Sequence, residues 1–177
     1  MRPLTIWTIG HSNRTIGEFI NLLCGQQIEI LVDVRRFPGS RAMRQFNPAP
    51  FEVSLAAAGI RYEHLVELGG RRKARSDSRN DAWRSPAFRG YADYMESEAF
   101  RHGLDRLLEI ARTGRTAIMC AEAVWWRCHR ALISDYLKAM NIRVLHILSA
   151  KDIREHPYTS PAHLVAGHLS YQSVSGS

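Results

Sequence analysis

The sequence predicts a three-layer α/β fold, Rossmann-like, in which a mostly parallel five-stranded sheet carries helices on both faces. Short apolar, β-branched runs alternate with segments of helical periodicity through the first 150 residues. Strands separated by helices need crossover connections, which favour parallel pairing and a sheet covered on both sides. The 177 residues are 45% hydrophobic, enough for one large core, so the body of the chain is not expected to be disordered.

The predicted strands are short apolar runs that resemble buried strands of a parallel sheet, the third being the weakest. They cover residues 4–10, 28–34, 60–65, 116–120 and 142–148.

Helix signals follow each of the first four strands. A capping-box pattern, Thr15-Ile16-Gly17-Glu18, predicts the start of the first helix, and Gly25 predicts its end. Asn47-Pro48 and Ser85-Pro86 predict two further starts, because proline fits the first helical position. Two more helical patterns cover residues 100–111 and 126–140.

The chain divides into a single α/β domain, residues 1–150, and a C-terminal extension, residues 151–177, that is partly irregular. The extension shows no clear periodicity. Residues 70–84 form a polar loop without periodicity, and loops of this length inside a domain are often lids or binding loops.

The net charge of +7 is concentrated in residues 35–44 and 71–89, where most of the basic side chains are arginine. Arginine makes forked contacts with phosphate and carboxylate, so these loops predict an anionic partner. Trp83, Trp125 and Trp126 lie close to basic segments, a pairing that suits stacking on a nucleotide or a single-stranded nucleic acid. A solvated arginine rim is the simpler explanation of the same charge.

Other features exclude several protein classes. The apolar run at the start is too short for a signal peptide or a membrane span, and no membrane partner is expected. Three cysteines do not form the framework of a secreted domain, which favours free thiols and a cytoplasmic location. No glycine-rich nucleotide fingerprint is present, and the cofactor, if any, stays unknown.

The residues that follow strands one, two and four carry most of the candidate chemistry. His11, Arg35 and Cys120 each come at or just after a strand end. Parallel strands bring their carboxyl ends to one edge of the sheet, so these residues are expected to form one pocket. In the common strand order 3-2-1-4-5, strands one and four would flank the switch point.

Cys120 is the predicted nucleophile or redox thiol, because a following helix and nearby cations favour a thiolate. Glu122 would act as a general acid, as a general base or as the residue that orients a catalytic group. Alternatively, Cys120 is simply a small core residue. The predicted catalytic residues are Cys120, Glu122, His11 and Arg35. The predicted substrate-binding residues are Ser12, Asn13, Arg36, Arg41, Arg89, Tyr91, Trp126, Arg127, Cys128, His129 and Arg130.

Three alternatives remain for the cysteine motif. Six residues separate Cys120 from Arg127, one more than in the cysteine phosphatases, so phosphatase chemistry is only an analogy. Cys128 could be a resolving cysteine or a buried residue on the stripe of Leu132 and Tyr136. Zinc-ligand spacing is lacking, so no metal site is predicted. The remaining histidines are expected to be ordinary polar or core residues. Asp33 could be a catalytic carboxylate, although pairing with Arg35 or capping a loop is the simpler role.

A series of ordered motifs resembles the bacterial and archaeal family called domain of unknown function 488. The motifs are Thr8–Arg14, Val32–Arg35 with Phe37-Pro38, Phe46-Asn47, Gly59–Tyr62, Leu68–Gly70, Phe88–Met95, Met119–Glu122 and Cys128–Arg130. The resemblance implies an α/β domain but no particular activity. Many members have a shorter polar segment where this chain has Ala123–Trp126, whose two indoles could face substrate.

Two functional hypotheses follow. The first is a cysteine-centred enzyme, a hydrolase, transferase or redox enzyme, acting on an anionic substrate such as a nucleotide or nucleic acid at the carboxyl edge of the sheet. The alternative is a non-catalytic nucleic-acid-binding or regulatory module in which the arginine-rich loops supply the affinity.

Overall fold

This computed structural model describes residues 2–174 of the chain, which contain strands, helices and short 3-10 turns. The strands are β1 (Thr5–Gly10), β2 (Ile30–Asp33), β3 (Arg61–His64), β4 (Thr116–Cys120), β5 (Arg143–Ser149), β6 (Asp152–Glu155), β7 (His163–Val165) and β8 (His168–Ser170). The helices are α1 (Ile16–Gly25), α2 (Pro48–Ala57), α3 (Pro86–Tyr94), α4 (Glu98–Ala111) and α5 (Arg130–Ala139). The predicted three-layer α/β fold is confirmed.

The main sheet has six strands in the order β3-β2-β4-β1-β5-β6. The first five strands in this order are parallel, and β6 pairs antiparallel with β5. Strands one and four are neighbours, as in the common order 3-2-1-4-5, but the order differs, because β4 lies between β2 and β1. The long connection through α3 and α4 carries the chain from β3 past β2 into the centre of the sheet.

Side chains alternate along β1 and so divide the core into two layers. Trp7 and Ile9 face a layer that also contains α1 and α2 through Phe19 and Phe51. Ile6 belongs to the opposite layer, which includes buried residues of α3, α4 and α5. The sheet is therefore covered on both faces.

The predicted helix starts at Thr15 and Ser85 are confirmed. The Thr15 hydroxyl accepts the Glu18 N–H at 3.1 Å, and the Ser85 hydroxyl accepts the Phe88 N–H at 3.4 Å. These contacts satisfy backbone donors that the first turn leaves without partners.

The predicted helix over residues 126–140 begins later than expected, at Arg130. Trp125–Arg127 form a single 3-10 turn, and the Cys128 backbone is extended, with φ −135° and ψ 155°. Cys128 therefore precedes α5 instead of lying on its apolar stripe.

The C-terminal extension contributes short strands that periodicity does not reveal. Residues 152–155 form the sixth strand of the main sheet, and β7 and β8 form a separate hairpin. Tyr171 is 4% exposed and packs in the core layer that contains α5. Within residues 2–174, no helix is both long enough and apolar enough to cross a membrane.

Candidate functional site

A cleft of about 240 Å³ lies at the carboxyl edge of the sheet, where β2 and β4 end. The loops after these two strands line it, together with α3, residues 70–71 and the segment before α5. The predicted site residues that line the cleft are Arg35, Arg36, Tyr91, Cys120, Glu122, Arg127, Cys128 and His129.

Two cysteines lie side by side in this cleft. Cys120 ends β4, Cys128 precedes α5, and their sulfurs are 2.7 Å apart. Both residues are buried, with 2% and 6% of their surface exposed. The connection over residues 121–127 thus brings both thiols to the same point, as a resolving role for Cys128 would require.

The Arg130 guanidinium holds the cysteine loop in place. Its Nε–H donates to Cys120 Sγ at 3.0 Å, and Nη2–H donates to the Glu122 carbonyl at 2.7 Å. The Arg130 backbone N–H lies 3.5 Å from Cys128 Sγ. The guanidinium therefore contacts Cys120 and the backbone between the two cysteines, and the Arg130 backbone N–H lies near Cys128.

The two thiols differ in acidity. Burial alone would raise the pKa of Cys128, but the hydrogen bond with Cys120 and the Arg130 cation lower it to about 7. Burial and the hydrogen bond with Cys128 raise the pKa of Cys120 well above that of an ordinary thiol. Cys128 is therefore the more acidic of the two thiols.

His129 fixes the other side of Cys128. Its Nε2 lies 2.8 Å from the Val34 carbonyl, which requires a proton on Nε2. The Nδ1 of the neutral ring is therefore an acceptor, and it lies 3.3 Å from Cys128 Sγ, where it can take the proton of the Cys128 thiol. Burial lowers the pKa of His129 and favours the neutral ring. A Cβ on Gly70 would lie 2.9 Å from His129 Nδ1, so this glycine leaves space for the imidazole.

The mouth of the cleft is basic and carries one exposed aromatic ring. Phe37 is 61% exposed, and the guanidinium groups of Arg36 and Arg71 lie 5.3 Å and 5.6 Å from its ring centre. Arg127 lines the same cleft. These side chains present cations and an aromatic face in one place.

The prediction that His11 shares a pocket with Cys120 is wrong. Gly10 pairs with Cys120 across the two strands, so the next side chain, His11, points to the opposite face of the sheet. There the imidazole stacks on Phe46 at 4.4 Å, and its Nδ1 lies 2.8 Å from the Ser12 carbonyl. Burial lowers the pKa of His11, as expected for a packed neutral ring.

Arg35 lines the cleft, but its guanidinium is already engaged. It forms a bidentate ion pair with Asp33, with contacts of 2.9 Å and 2.7 Å, and also donates to the Phe46 carbonyl at 2.7 Å. The simpler prediction for Asp33, an ion pair with Arg35, is confirmed. Glu122 is exposed at the cleft, where it remains a candidate acid or base.

Several predicted substrate-binding residues lie elsewhere. Arg130 is 1% exposed and bonded within the protein, so it supports the site from behind instead of facing substrate. Arg89 donates to the Trp83 carbonyl, outside the cleft lining. The residues that also lie outside the lining are Ser12, Asn13, Arg41 and Trp126.

The inserted indoles do not line the cleft either. Trp125 stacks on His146 with their ring centres 4.6 Å apart, and Trp126 is 49% exposed with its ring edge-on to Trp125. Sequence reasoning missed Arg71 as a rim cation and Gly70 as a contact of His129. The Leu68–Gly70 motif was the available signal for this segment.

Within the described residues, no group of three or more histidine, cysteine or acidic side chains is arranged to hold a metal ion. The cleft instead combines a thiol pair, a buried cation beneath it and a basic mouth above it.

The fold and the cleft define a three-layer α/β protein with a paired-cysteine site at the carboxyl edge of its sheet. Residues 15–137 match the family described as domain of unknown function DUF488, and the chain belongs to that family. No curated protein and no solved structure matched the chain.

Proposed function

We propose that this protein is a cysteine-dependent enzyme in which the Cys128 thiolate attacks an anionic substrate bound in the cleft. The observation that carries the proposal is the pair of sulfurs, 2.7 Å apart, inside a cleft with an arginine-rich mouth. Cys120 is the less acidic thiol, so its role changes from the predicted nucleophile to the proton-bearing partner.

The first chemical step is a displacement at the electrophilic atom of the substrate. A lone pair of Cys128 Sγ forms the new bond, and the bond to the leaving group breaks with its electron pair on that group. An acceptor nucleophile, water in a hydrolase, then attacks the same atom. Glu122 accepts the proton of that water, and Cys128 departs as the thiolate.

The cleft favours a substrate that carries both negative charge and an aromatic ring. Arg36, Arg71 and Arg127 would bind phosphate oxygens, because guanidinium groups make forked contacts with phosphate. The exposed Phe37 ring offers a stacking surface for a base. A nucleotide, or the end of a nucleic acid, combines these two features.

Non-catalytic binding of nucleic acid would use the same arginines and Phe37. It requires no acidic thiol, so the acidity of Cys128 distinguishes the two functions.

The test is the pH dependence of cysteine alkylation by iodoacetamide, followed residue by residue by mass spectrometry. We expect half-maximal rate at Cys128 near pH 7, well below the value of about 8.5 for an ordinary thiol. Cys24, which is exposed on α1, is the internal reference. Adenosine diphosphate should protect Cys128 and leave Cys24 unprotected.

Cys120→Ser serves as the companion variant. Serine keeps a hydroxyl donor near Cys128, so the alkylation midpoint of Cys128 should remain below that of Cys24. A midpoint at or above about 8.5 for Cys128 in the unmodified protein would overturn the enzyme proposal and favour a binding module.

A further inference from the structure

A continuous chain of buried hydrogen bonds runs from α5 through the sheet to the cysteine site. At its far end, Asp135 Oδ1 lies 2.8 Å from His156 Nε2, and His156 Nδ1 lies 2.8 Å from His146 Nε2. His146 Nδ1 then lies 2.5 Å from the Thr8 hydroxyl.

Arg130 connects this chain to the sulfurs. Its Nη1–H donates to the Thr8 hydroxyl at 3.0 Å, and its Nε–H donates to Cys120 Sγ at 3.0 Å. Thr8, on β1, is therefore the link between the two histidines and the guanidinium.

The members of the chain are almost completely shielded from water. Thr8, Asp135 and His146 are 0% exposed, and Arg130 and His156 are 1% exposed. Burying this many polar groups is costly unless each of them finds a partner, and a fully satisfied network fixes the orientation of its members.

The donor and acceptor capacity of each group gives the chain a direction. Arg130 can only donate, so Thr8 accepts from it and donates its own proton to His146 Nδ1. His146 then carries its proton on Nε2, and His156 accepts it at Nδ1. His156 in turn donates from Nε2 to Asp135, so neutral rings satisfy every contact in the chain.

The far end of the chain is itself held firmly. Asp135 also accepts the Thr159 N–H at 3.0 Å, the Thr159 hydroxyl at 2.5 Å and the Tyr171 hydroxyl at 2.7 Å. Together with His156, these donors fix both carboxylate oxygens. The C-terminal segment that carries Thr159 and Tyr171 thereby anchors a chain that ends at Cys120.

We propose that Thr8, His146, His156 and Asp135 are positioning residues that hold the Arg130 guanidinium against the two sulfurs. This inference rests on the proposed function, because it concerns the acidity of the thiol pair. Without the Thr8 hydroxyl, one arm of the buried guanidinium has no partner, and the side chain must turn to find one. The positive charge would then move away from Cys128, and its thiolate would be less favoured.

Other groups also face the sulfurs and affect the pKa values of the two thiols independently of the hydrogen-bond chain. His129 lies beside Cys128, and Tyr91 of α3 contacts the His129 ring at 5.1 Å. The remaining charged groups on the cleft are Arg35, Arg36, Arg71, Glu122 and Arg127. None of these groups is hydrogen-bonded to Thr8, His146 or His156, so a substitution at one of those three residues leaves them in place.

The test compares Thr8→Val with Thr8→Ser in the full-length protein. Valine keeps the shape of threonine and removes the hydroxyl, whereas serine keeps the hydroxyl. We expect Thr8→Val to raise the pH midpoint of Cys128 alkylation and to slow the reaction at pH 7 by about threefold to fivefold, because a rise of up to about one unit from a midpoint near 7 lowers the thiolate fraction at pH 7 from about one half to about one tenth. Thr8→Ser should restore the native midpoint.

His156→Gln breaks the hydrogen-bond chain at a second point, three hydrogen bonds from Arg130, and should raise the midpoint by a smaller amount. Thr116→Val is the matched control, since Thr116 is also a fully buried strand threonine but bonds only to the Gly114 carbonyl. It should lower stability without moving the midpoint.

The outcomes separate this inference from the proposed function. A low native midpoint that stays unchanged in both Thr8→Val and His156→Gln would overturn the positioning role and leave the enzyme proposal intact. An ordinary native midpoint would overturn the enzyme proposal first. If Thr8→Val does not fold, the comparison of His156→Gln with the native protein and Thr116→Val decides the question.

Discussion

A Cβ on Gly10 would lie 1.6 Å from the Glu122 carbonyl oxygen. The β1 strand therefore approaches the cysteine loop more closely than a residue with a side chain at this position would allow. The same carbonyl accepts the Arg130 Nη2–H. The absent side chain of Gly10 is thus a condition for the contact that places Arg130 behind the sulfurs.

Gly10→Ala should therefore displace the Glu122 backbone and destabilise the protein by about 1–3 kcal/mol, because backbone cannot yield as a flexible side chain would. The free energy of unfolding in urea measures the effect. Gly17→Ala on α1 is the control, and it should change the free energy of unfolding in the opposite direction, since a Cβ there meets nothing within 4 Å. It should stabilise the protein by about 0.4–1 kcal/mol; equal effects of the two changes would contradict the close approach.

His146 should make the protein sensitive to acid. Burial, with smaller effects of His156 and Arg130, lowers the pKa of His146 to about 2, whereas it is about 6.5 in the unfolded chain. Between these values the unfolded state binds the extra proton, so stability is complete above about pH 6.5 and falls as the pH decreases toward 2. The stability that disappears between pH 6.5 and 5 is about 2 kcal/mol.

Urea unfolding at pH 7 and pH 5 checks this prediction in the native protein and in His146→Gln. The variant should be less stable at pH 7 but should lose less on acidification. His102→Gln, at an exposed position on α4, should match the native pH dependence. The prediction is wrong if His146→Gln loses as much stability as the native protein does.

The rim arginines should govern the salt dependence of anion binding. Replacing Arg36, Arg71 and Arg127 by alanine should weaken binding of a short single-stranded oligonucleotide. It should also flatten the log–log salt slope by about 0.7 for each phosphate that the variant no longer neutralises. Fluorescence anisotropy at several salt concentrations measures both effects.

The matched control removes three exposed arginines that do not line the cleft, Arg2, Arg101 and Arg112, and should leave the slope unchanged. Other basic residues of the 71–89 loop are less suitable targets. Arg72 stacks on Tyr94 at 3.7 Å and Arg75 pairs with Glu96 at 2.8 Å, so both guanidinium groups already interact with other side chains of the protein. An equal weakening of binding in the two triple variants would mean that net charge, not the cleft, attracts the anion.

The sequence predicted the layered fold because its strands and helices have strong local signals. Thr15 and Ser85 cap helices at the predicted starts, and the strand that ends at Cys120 has the predicted bounds. The short strands β6, β7 and β8 were not predicted, because three or four residues show too little periodicity to identify a strand.

The site was predicted in outline but not in detail. Arg35, Cys120 and Glu122 meet at one cleft because parallel strands end at the same edge. The face of each side chain depends on register, and pairing of Gly10 with Cys120 sends His11 to the other layer. Register results from packing between distant segments, which one sequence does not display.

What the sequence determined by itself is therefore the sheet, its helices and the carboxyl edge of the sheet at which the candidate site residues lie. These follow from local periodicity and capping. Only the tertiary structure decided that β4 inserts between β2 and β1, that Cys128 lies against Cys120, and that Arg130 is buried beneath both sulfurs. The physical reason is that these relationships depend on which buried polar groups find partners across the core. Thr8 and His146, for example, are 138 residues apart in the chain and meet only when β1 and β5 pair.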